Sequence, residues 1–187
     1  MPDHIIIFDT ETTGLPVWKE PSDSDIQPHL VQLAALLVNT GTRAIAQSMD
    51  VIIKPDGWTI PQETTDIHGT TNEHAMDVGI SEKTALLMFL ELWGGRTRVA
   101  HNTTFDNRMI RIGTKRYFNE QVISNWKEGE YECTMRLSKA IMSGKQPKLE
   151  EAYMHFMGKE IQDAHTAMGD AKACMDIYFA IQETIPL

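Results

Sequence analysis

The segment Ile5-Ile6-Ile7-Phe8-Asp9-Thr10-Glu11 carries two acids at the end of a run that is apolar on both alternating faces. Period-2 alternation puts Ile5, Ile7, Asp9 and Glu11 on one face and Ile6, Phe8 and Thr10 on the other. A strand apolar on both faces lies in the middle of a sheet that is covered on both sides. Its C-terminal end then presents two carboxylates about 7 Å apart along the strand, where α/β sheets commonly place ligand sites. Taken singly, such an acid can equally be a strand end that meets water.

The first third of the chain reads as strands over His4 to Asp9, Leu30 to Asn39 and Ala44 to Lys54, with turn chemistry at Asn39-Thr40-Gly41-Thr42, which predicts an antiparallel meander. Gln32 is the one polar interruption in the apolar run Leu30 to Val38, which is far too short to cross a bilayer. Leu15 to Pro28 holds three of the eight prolines and a Ser-Asp-Ser-Asp cluster, so an exposed, mobile loop is expected there. Beyond Pro61 the period becomes helical. Ser81 can cap a helix that ends before Gly94-Gly95, a short strand is expected near Arg98 to His101, and helices are expected over Thr103 to Ile112, Glu132 to Met142, Leu149 to Met157 and Ala164 to Gln182, the last with Asp163 as N-cap. Gly113 to Tyr131 fits neither period clearly. Strands followed by alternating helix and strand imply an α/β sheet covered by helices, expected as one domain over residues 1–187 without internal repeats.

Two further acids sit where apolar residues belong. In the last helix Ala167, Asp170, Cys174, Ile177 and Ile181 form one stripe whose only charge is Asp170. In the helix after His101-Asn102, Asp106 lies beside Phe105 and one turn before Met109 and Ile110. Each acid alone can be a hydrogen-bonded structural group. Four together on inward faces call for cations, because like charge at that density needs an offset. The net charge is −9, from 17 basic and 26 acidic residues, which opposes a general electrostatic surface for nucleic acid. Two bound divalent cations would bring it to about −5 and invert the field locally. His165 precedes Asp170 by five residues, at the frayed start of the helix; it is either a packing residue or, beside a metal site, a candidate base for water. Cys133 and Cys174 lie in patterns that look helical and suggest neither a CxxC site nor a disulfide, and the N-terminus lacks a basic region and cleavage site, so a cytoplasmic location is expected.

Three motifs together resemble the 3′-to-5′ exonucleases of the DnaQ-like or DEDD superfamily, whose members include proofreading subunits of bacterial DNA polymerases. IIIFDTETTGLP resembles the first motif with Asp9 and Glu11, VAHNTTFDNRMI the second with Asp106, and HTAMGDA the third with His165 and Asp170. Thr166 stands where the tyrosine branch has its tyrosine, and His165 matches the histidine (DEDDh) branch. Ile67-His68-Gly69, Cys133 to Leu137 and Lys148-Leu149-Glu150 resemble connecting segments, so the likeness runs from about residue 4 to 183.

The resemblance implies a ribonuclease H-like fold, with a central mixed five-stranded sheet flanked by helices. It implies two Mg²⁺ or Mn²⁺ ions, bridged by Asp9, completed by Glu11 and Asp170, with Asp106 holding the second ion directly or through water. His165 would be the general base, so activity would rise with pH as the imidazole loses its proton. The implied reaction is hydrolysis of nucleic acid, single-stranded DNA first, from its 3′ end to 5′-mononucleotides. Thr12, Gly14, Leu15, His68 and Asn102 are the implied substrate contacts: Gly14 permits close backbone approach, while Leu15 either stacks on the terminal base or packs in the core. Arg108, Arg111, Lys115 and Arg116 form the one evident basic cluster, either a phosphate track or a solvated helix face. Competing readings are a non-catalytic or partner-dependent subunit binding a DNA polymerase, an RNA-trimming exoribonuclease, and a phosphohydrolase of small nucleotides, for which no P-loop is present.

Overall fold

A computed structural model describes residues 3–142 and 144–184. Strand β1 (His4–Thr12) is central, as its two apolar faces require, and continues through both acids where the sequence pattern stopped it at Asp9. It pairs antiparallel with β2 (Leu30–Asn39), which pairs antiparallel with β3 (Ile45–Ile52). On its other side lie the parallel strands β4 (Arg98–Ala100) and β5 (Tyr131–Cys133), giving the five-stranded order β3-β2-β1-β4-β5. The expected mixed sheet with its meander is therefore present.

The two faces of β1 build two cores. Ile6 and Phe8 pack with α3 (Glu82–Trp93), α4 (Thr103–Tyr117) and Trp126 of α5 (Glu120–Glu128). Phe8, Phe89, Trp93 and Trp126 meet there at tilted and edge-on angles with ring centroids 5.1 to 6.0 Å apart, the arrangement favoured by ring quadrupoles. Ile5 and Ile7 pack on the other face against Ala171, Cys174 and Tyr178 of α8 (Ala167–Thr184). A second side of α8, with Ala173, Ile177 and Ile181, is covered by Ala152 and Tyr153 of α7 (Leu149–Met157). The short helices α1 (Gln62–His68) and α2 (Asn72–Val78) follow β3, and α6 (Thr134–Ile141) follows β5. Among the described residues no helix is long and apolar enough to cross a membrane.

Three expectations are corrected. The helix expected over Glu132 to Met142 begins at Thr134, because Glu132 and Cys133 pair with Val99 and Ala100 as an edge strand three residues long, too short to show a period. Asp163 does not cap the last helix; it takes a left-handed conformation (φ 59°), and the cap is Thr166, whose hydroxyl accepts from the Gly169 N–H at 3.1 Å. The segment Leu15 to Pro28 is the exposed loop expected, without helix or strand, but it is anchored where mobility is expected. Gln27 is buried and bonds the backbone of Val17, Glu20 and Pro21, and the basic face of α4 grips the segment from outside: Arg108 donates to the Glu20 carbonyl, Arg111 to Ser22 Oγ, Lys115 to Asp23, and Arg116 to the Gln27 carbonyl. The basic cluster is thus neither a bare solvated face nor an unobstructed phosphate track.

Glu82, buried at the start of α3, ties three elements together. It accepts from the Leu30 N–H at 3.0 Å and from the Tyr117 hydroxyl and His29 Nδ1 at 2.9 Å each, with Arg116 at 3.5 Å. Burial pushes its carboxyl pKa up, but these donors outweigh that and hold it below the usual value, so the stability it contributes is lost as pH falls through that lowered pKa. Glu82→Ala should therefore lower the unfolding free energy by about 3 kcal/mol in denaturant titration, because it orphans the buried Leu30 N–H and removes the carboxylate shared by His29, Tyr117 and the partly buried Arg116. A loss under about 0.5 kcal/mol would contradict that role.

Candidate active site

Asp9 and Glu11 point from β1 toward the face covered by α8, and Asp170 reaches them from the first turn of that helix. The three offer carboxylate oxygens within 4.8 Å of one another. Gln32 sets the helix against the strand. It stands across from Glu11 in the β1–β2 register, and its Oε1 accepts from the Ala167 N–H at 3.1 Å while its Nε2 donates to Asp50 at 2.7 Å. Small residues on the facing side of α8, Ala167, Ala171 and Cys174, are all buried and allow the helix to sit close to the sheet.

Asp106 comes from α4 and stands outside the three-acid group. Its Oδ1 accepts from both the Thr10 N–H (3.1 Å) and the Thr10 hydroxyl (2.8 Å). The helix that carries it is fastened at its start by Thr103, whose hydroxyl bonds the carbonyls of Ala100 (2.9 Å) and Glu132 (2.7 Å). Asn102, the residue before, is left-handed (φ 62°) and makes the sharp turn from β4 into α4. The Thr10 pairing aims Asp106 past the strand end, close enough for its charge to act on both Asp9 and Glu11.

Burial raises all four of these carboxyl pKa values, and repulsion from neighbouring site acids adds to it at Asp9, Glu11 and Asp106. Asp9 is pushed well up by burial first, then by Asp106, Asp170 and Glu11. Burial and the charges of Asp170 and Asp106 push Glu11 up to about 8. Asp106 rises to about 7 through burial, against the lowering effect of the Thr10 hydroxyl, and Asp170 to about 6 through burial, against the hydrogen bond from the His165 N–H. Oxygen-only donors packed this closely are the chemistry of a site for a hard divalent cation.

His165 lies outside α8, in a turn where its φ is 63°, with its N–H donating to Asp170 Oδ1 at 3.3 Å. Its side chain is 53% exposed, at the rim of the acids, and Nε2 stands 3.8 Å from Glu150 of α7. Gly169 is required by this turn: a Cβ there would strike the Asp163 carbonyl, which also receives Thr166. Leu15 is 78% exposed, which removes the core-packing reading. The turn before it is closed by Thr12, whose hydroxyl donates to the Gly14 carbonyl at 2.8 Å, with Gly14 at φ 152° and open space where a Cβ would be. His68 is buried. Its Nδ1 accepts from the Thr70 N–H at 3.1 Å, which leaves the proton on Nε2, and that atom has no hydrogen-bond partner among the described residues. His101 is committed elsewhere, bonding the Pro147 carbonyl and the Thr134 hydroxyl. Thr10, Gln32 and Glu150 were not foreseen as site residues; the polar break that Gln32 makes in an apolar strand is the signal that could have found it.

The family model described as an exonuclease (RNase_T) matches residues 6–178, and the chain belongs to this DnaQ-like exonuclease family. A curated relative named DNA polymerase III subunit epsilon-like protein, from Rhodobacter capsulatus, is 28% identical over 178 residues, covering 94% of this chain but only 23% of that protein. Among solved structures, Escherichia coli exonuclease I in complex with a dT13 oligonucleotide superposes with a TM-score of 0.75 at 20% identity, over 96% of this chain and 40% of the other. Exonuclease X in complex with 5′ overhanging duplex DNA gives 0.68 at 23% identity, over 96% and 92%. These likenesses establish the ribonuclease H-like fold.

Because the folded chain retains carboxyl protons that the unfolded chain releases near pH 4, its metal-free stability should fall as pH rises. Between about pH 5 and pH 8 the Tm in EDTA should drop, and Glu11→Gln should flatten the drop. A Tm that stays level or climbs across that range would show that the acids are not repelling one another.

Proposed function

We propose that this exonuclease hydrolyses single-stranded DNA from its 3′ end to 5′-mononucleotides, as one DEDDh-type domain, with divalent ions held by Asp9, Glu11 and Asp170 and assisted by Asp106. The observation that carries this reading is the set of three carboxylates within 4.8 Å, with a fourth aimed beside them by Thr10. Mg²⁺ or Mn²⁺, two ions in the fullest form of the reading, would supply neutralisation of the attacked phosphate and activation of the attacking water. A zinc-bound form of the exonuclease I–ssDNA complex supports a divalent site in this fold, and the dT13 complex supports a single-stranded substrate.

The chain's own groups have distinct tasks. His165 accepts the proton of the attacking water. Its exposed rim position gives that proton a path to solvent, and its backbone N–H keeps Asp170 in place. Leu15 presents an apolar face to the terminal base, and the Thr12–Gly14 turn brings backbone close to the sugar and phosphate. Asn102 and the Nε2–H of His68 are the polar contacts for the strand end. A second reading, a subunit that works bound to a DNA polymerase in the cytoplasm, is favoured by the names of the epsilon-like and PolC-type relatives, of which this chain spans a quarter or less.

With 5′-labelled single-stranded DNA and Mn²⁺, the wild type should give a ladder shortening from the 3′ end that EDTA abolishes. Asp170→Asn should reduce it at least about 100-fold while keeping the melting curve cooperative. Immediate release of the labelled 5′ nucleotide, or full activity of Asp170→Asn, would overturn the reading. Activity that appears only after a polymerase is added would favour the subunit.

A further inference from the structure

A cleft of about 270 Å³ opens on the α4 side of the sheet, lined on its charged and aromatic parts by Trp18, Arg98, Arg108, Arg111, Lys127 and Tyr131. That volume is close to the ~300 Å³ at which small-molecule sites begin. Among the described residues no carboxylate lines it, although the chain as a whole carries −9. The other two cations on this face of α4 are neutralised, Lys115 by Asp23 and Arg116 by Glu82. The four in the cleft are not: among the described residues none of them forms an ion pair with a carboxylate. Arg108 and Arg111 bond a carbonyl and a hydroxyl, and Glu130, the neighbour of Tyr131 in sequence, accepts from the Thr97 hydroxyl at 3.4 Å.

Arg98 is the unusual member. It is 1% exposed, and its guanidinium lies 3.8 Å over the Trp126 ring while donating only to the carbonyls of Trp126, Gly129 and Glu130. Burial pulls its pKa down to about 10, so it remains charged at neutral pH. A buried cation held by neutral acceptors is an uncompensated charge, and an anion entering the cleft relieves it. Two polar atoms at the cleft, Asn107 Oδ1 and Arg108 Nε, are buried without a hydrogen-bond partner among the described residues. At the mouth stand two exposed aromatic side chains, Trp18 at 55% and Tyr131 at 46%. Trp18 belongs to the segment that α4 grips, so the same contacts that hold the segment also shape the cleft.

We infer that this cleft is a second nucleotide-binding site, separate from the carboxylates, in which the four cations hold a phosphate and Trp18 and Tyr131 stack on its base. Cations without local acids beside accessible ring faces are the combination that binds a nucleotide unit without reading its sequence. The unit can come from an upstream part of a substrate strand or from a free nucleoside monophosphate.

Calorimetric titration of the full chain in EDTA distinguishes these sources and leaves the carboxylate site out, since without metal it offers no cation to hold a phosphate. Inorganic phosphate, dTMP and a dT8 oligonucleotide are the probes. At low salt dTMP or dT8 should bind, more tightly than inorganic phosphate, and Lys127→Glu and Trp18→Ala should each weaken that binding about tenfold. Both residues are exposed, so neither change threatens the fold. Binding of dTMP equal to that of dT8 assigns the site to a free nucleotide; binding of dT8 alone assigns it to the strand. No binding, equal binding by both variants, or phosphate binding as tightly as dTMP would overturn the inference while leaving the 3′-exonuclease reading untouched.

Discussion

Repulsion among carboxylates at the end of β1 is the constraint around which this molecule is arranged. Two unit charges 4.8 Å apart at an effective dielectric of about 20 repel by about 3 kcal/mol, so three ionised neighbours approach the whole ~5–15 kcal/mol margin of a folded domain. Raised pKa values are one response, since a protonated acid carries no repulsion. Rigid support is the other. The acids stand on the central strand of the sheet, on a helix docked by Gln32 and on a helix fastened by Thr103, so the elements cannot drift apart to relieve the charge. A site that cannot relax is prepared for divalent cations, and that links the packing to the hydrolysis proposed for this chain.

Much of this was legible in the sequence because the signals were periodic. The two-faced apolar strand predicted a central β1, and the single charge on the α8 stripe predicted that Asp170 would face the acids of that strand, as it does. Capping chemistry worked where the cap was an ordinary one, as at Ser81, which accepts from the Thr84 N–H. It failed at Asp163, because a turn with left-handed residues at 163 and 165 intervenes and moves the cap to Thr166. Left-handed turns outside glycine leave little trace in composition. The edge strand β5 was missed because three residues are too few to show alternation. The exposed loop after Leu15 was legible from its prolines and polar residues, but its anchoring was not, since its partners lie about ninety residues away on α4 and no local pattern reveals them.

Charge is sorted in space. Acids gather at the end of β1, and cations that form no ion pair among the described residues gather in a cleft between α4, α5 and β5 beside Trp18 and Tyr131. The two groups share α4, on which Asp106 and Arg108 stand two residues apart. Net charge therefore misleads for this chain. The total of −9 argues against a polyanionic partner, while the local arrangement supplies both a cation site and a cationic cleft.

The central claim is that the clustered acids keep protons until cations displace them. Calorimetric titration with Mn²⁺ in buffers of different ionisation enthalpy counts the protons released on binding. Near pH 6.5 binding should release about one proton or more, with the number falling toward zero above about pH 8.5. Binding with no proton release near pH 6.5 would mean that the carboxylates are already fully ionised without metal, and would contradict the account.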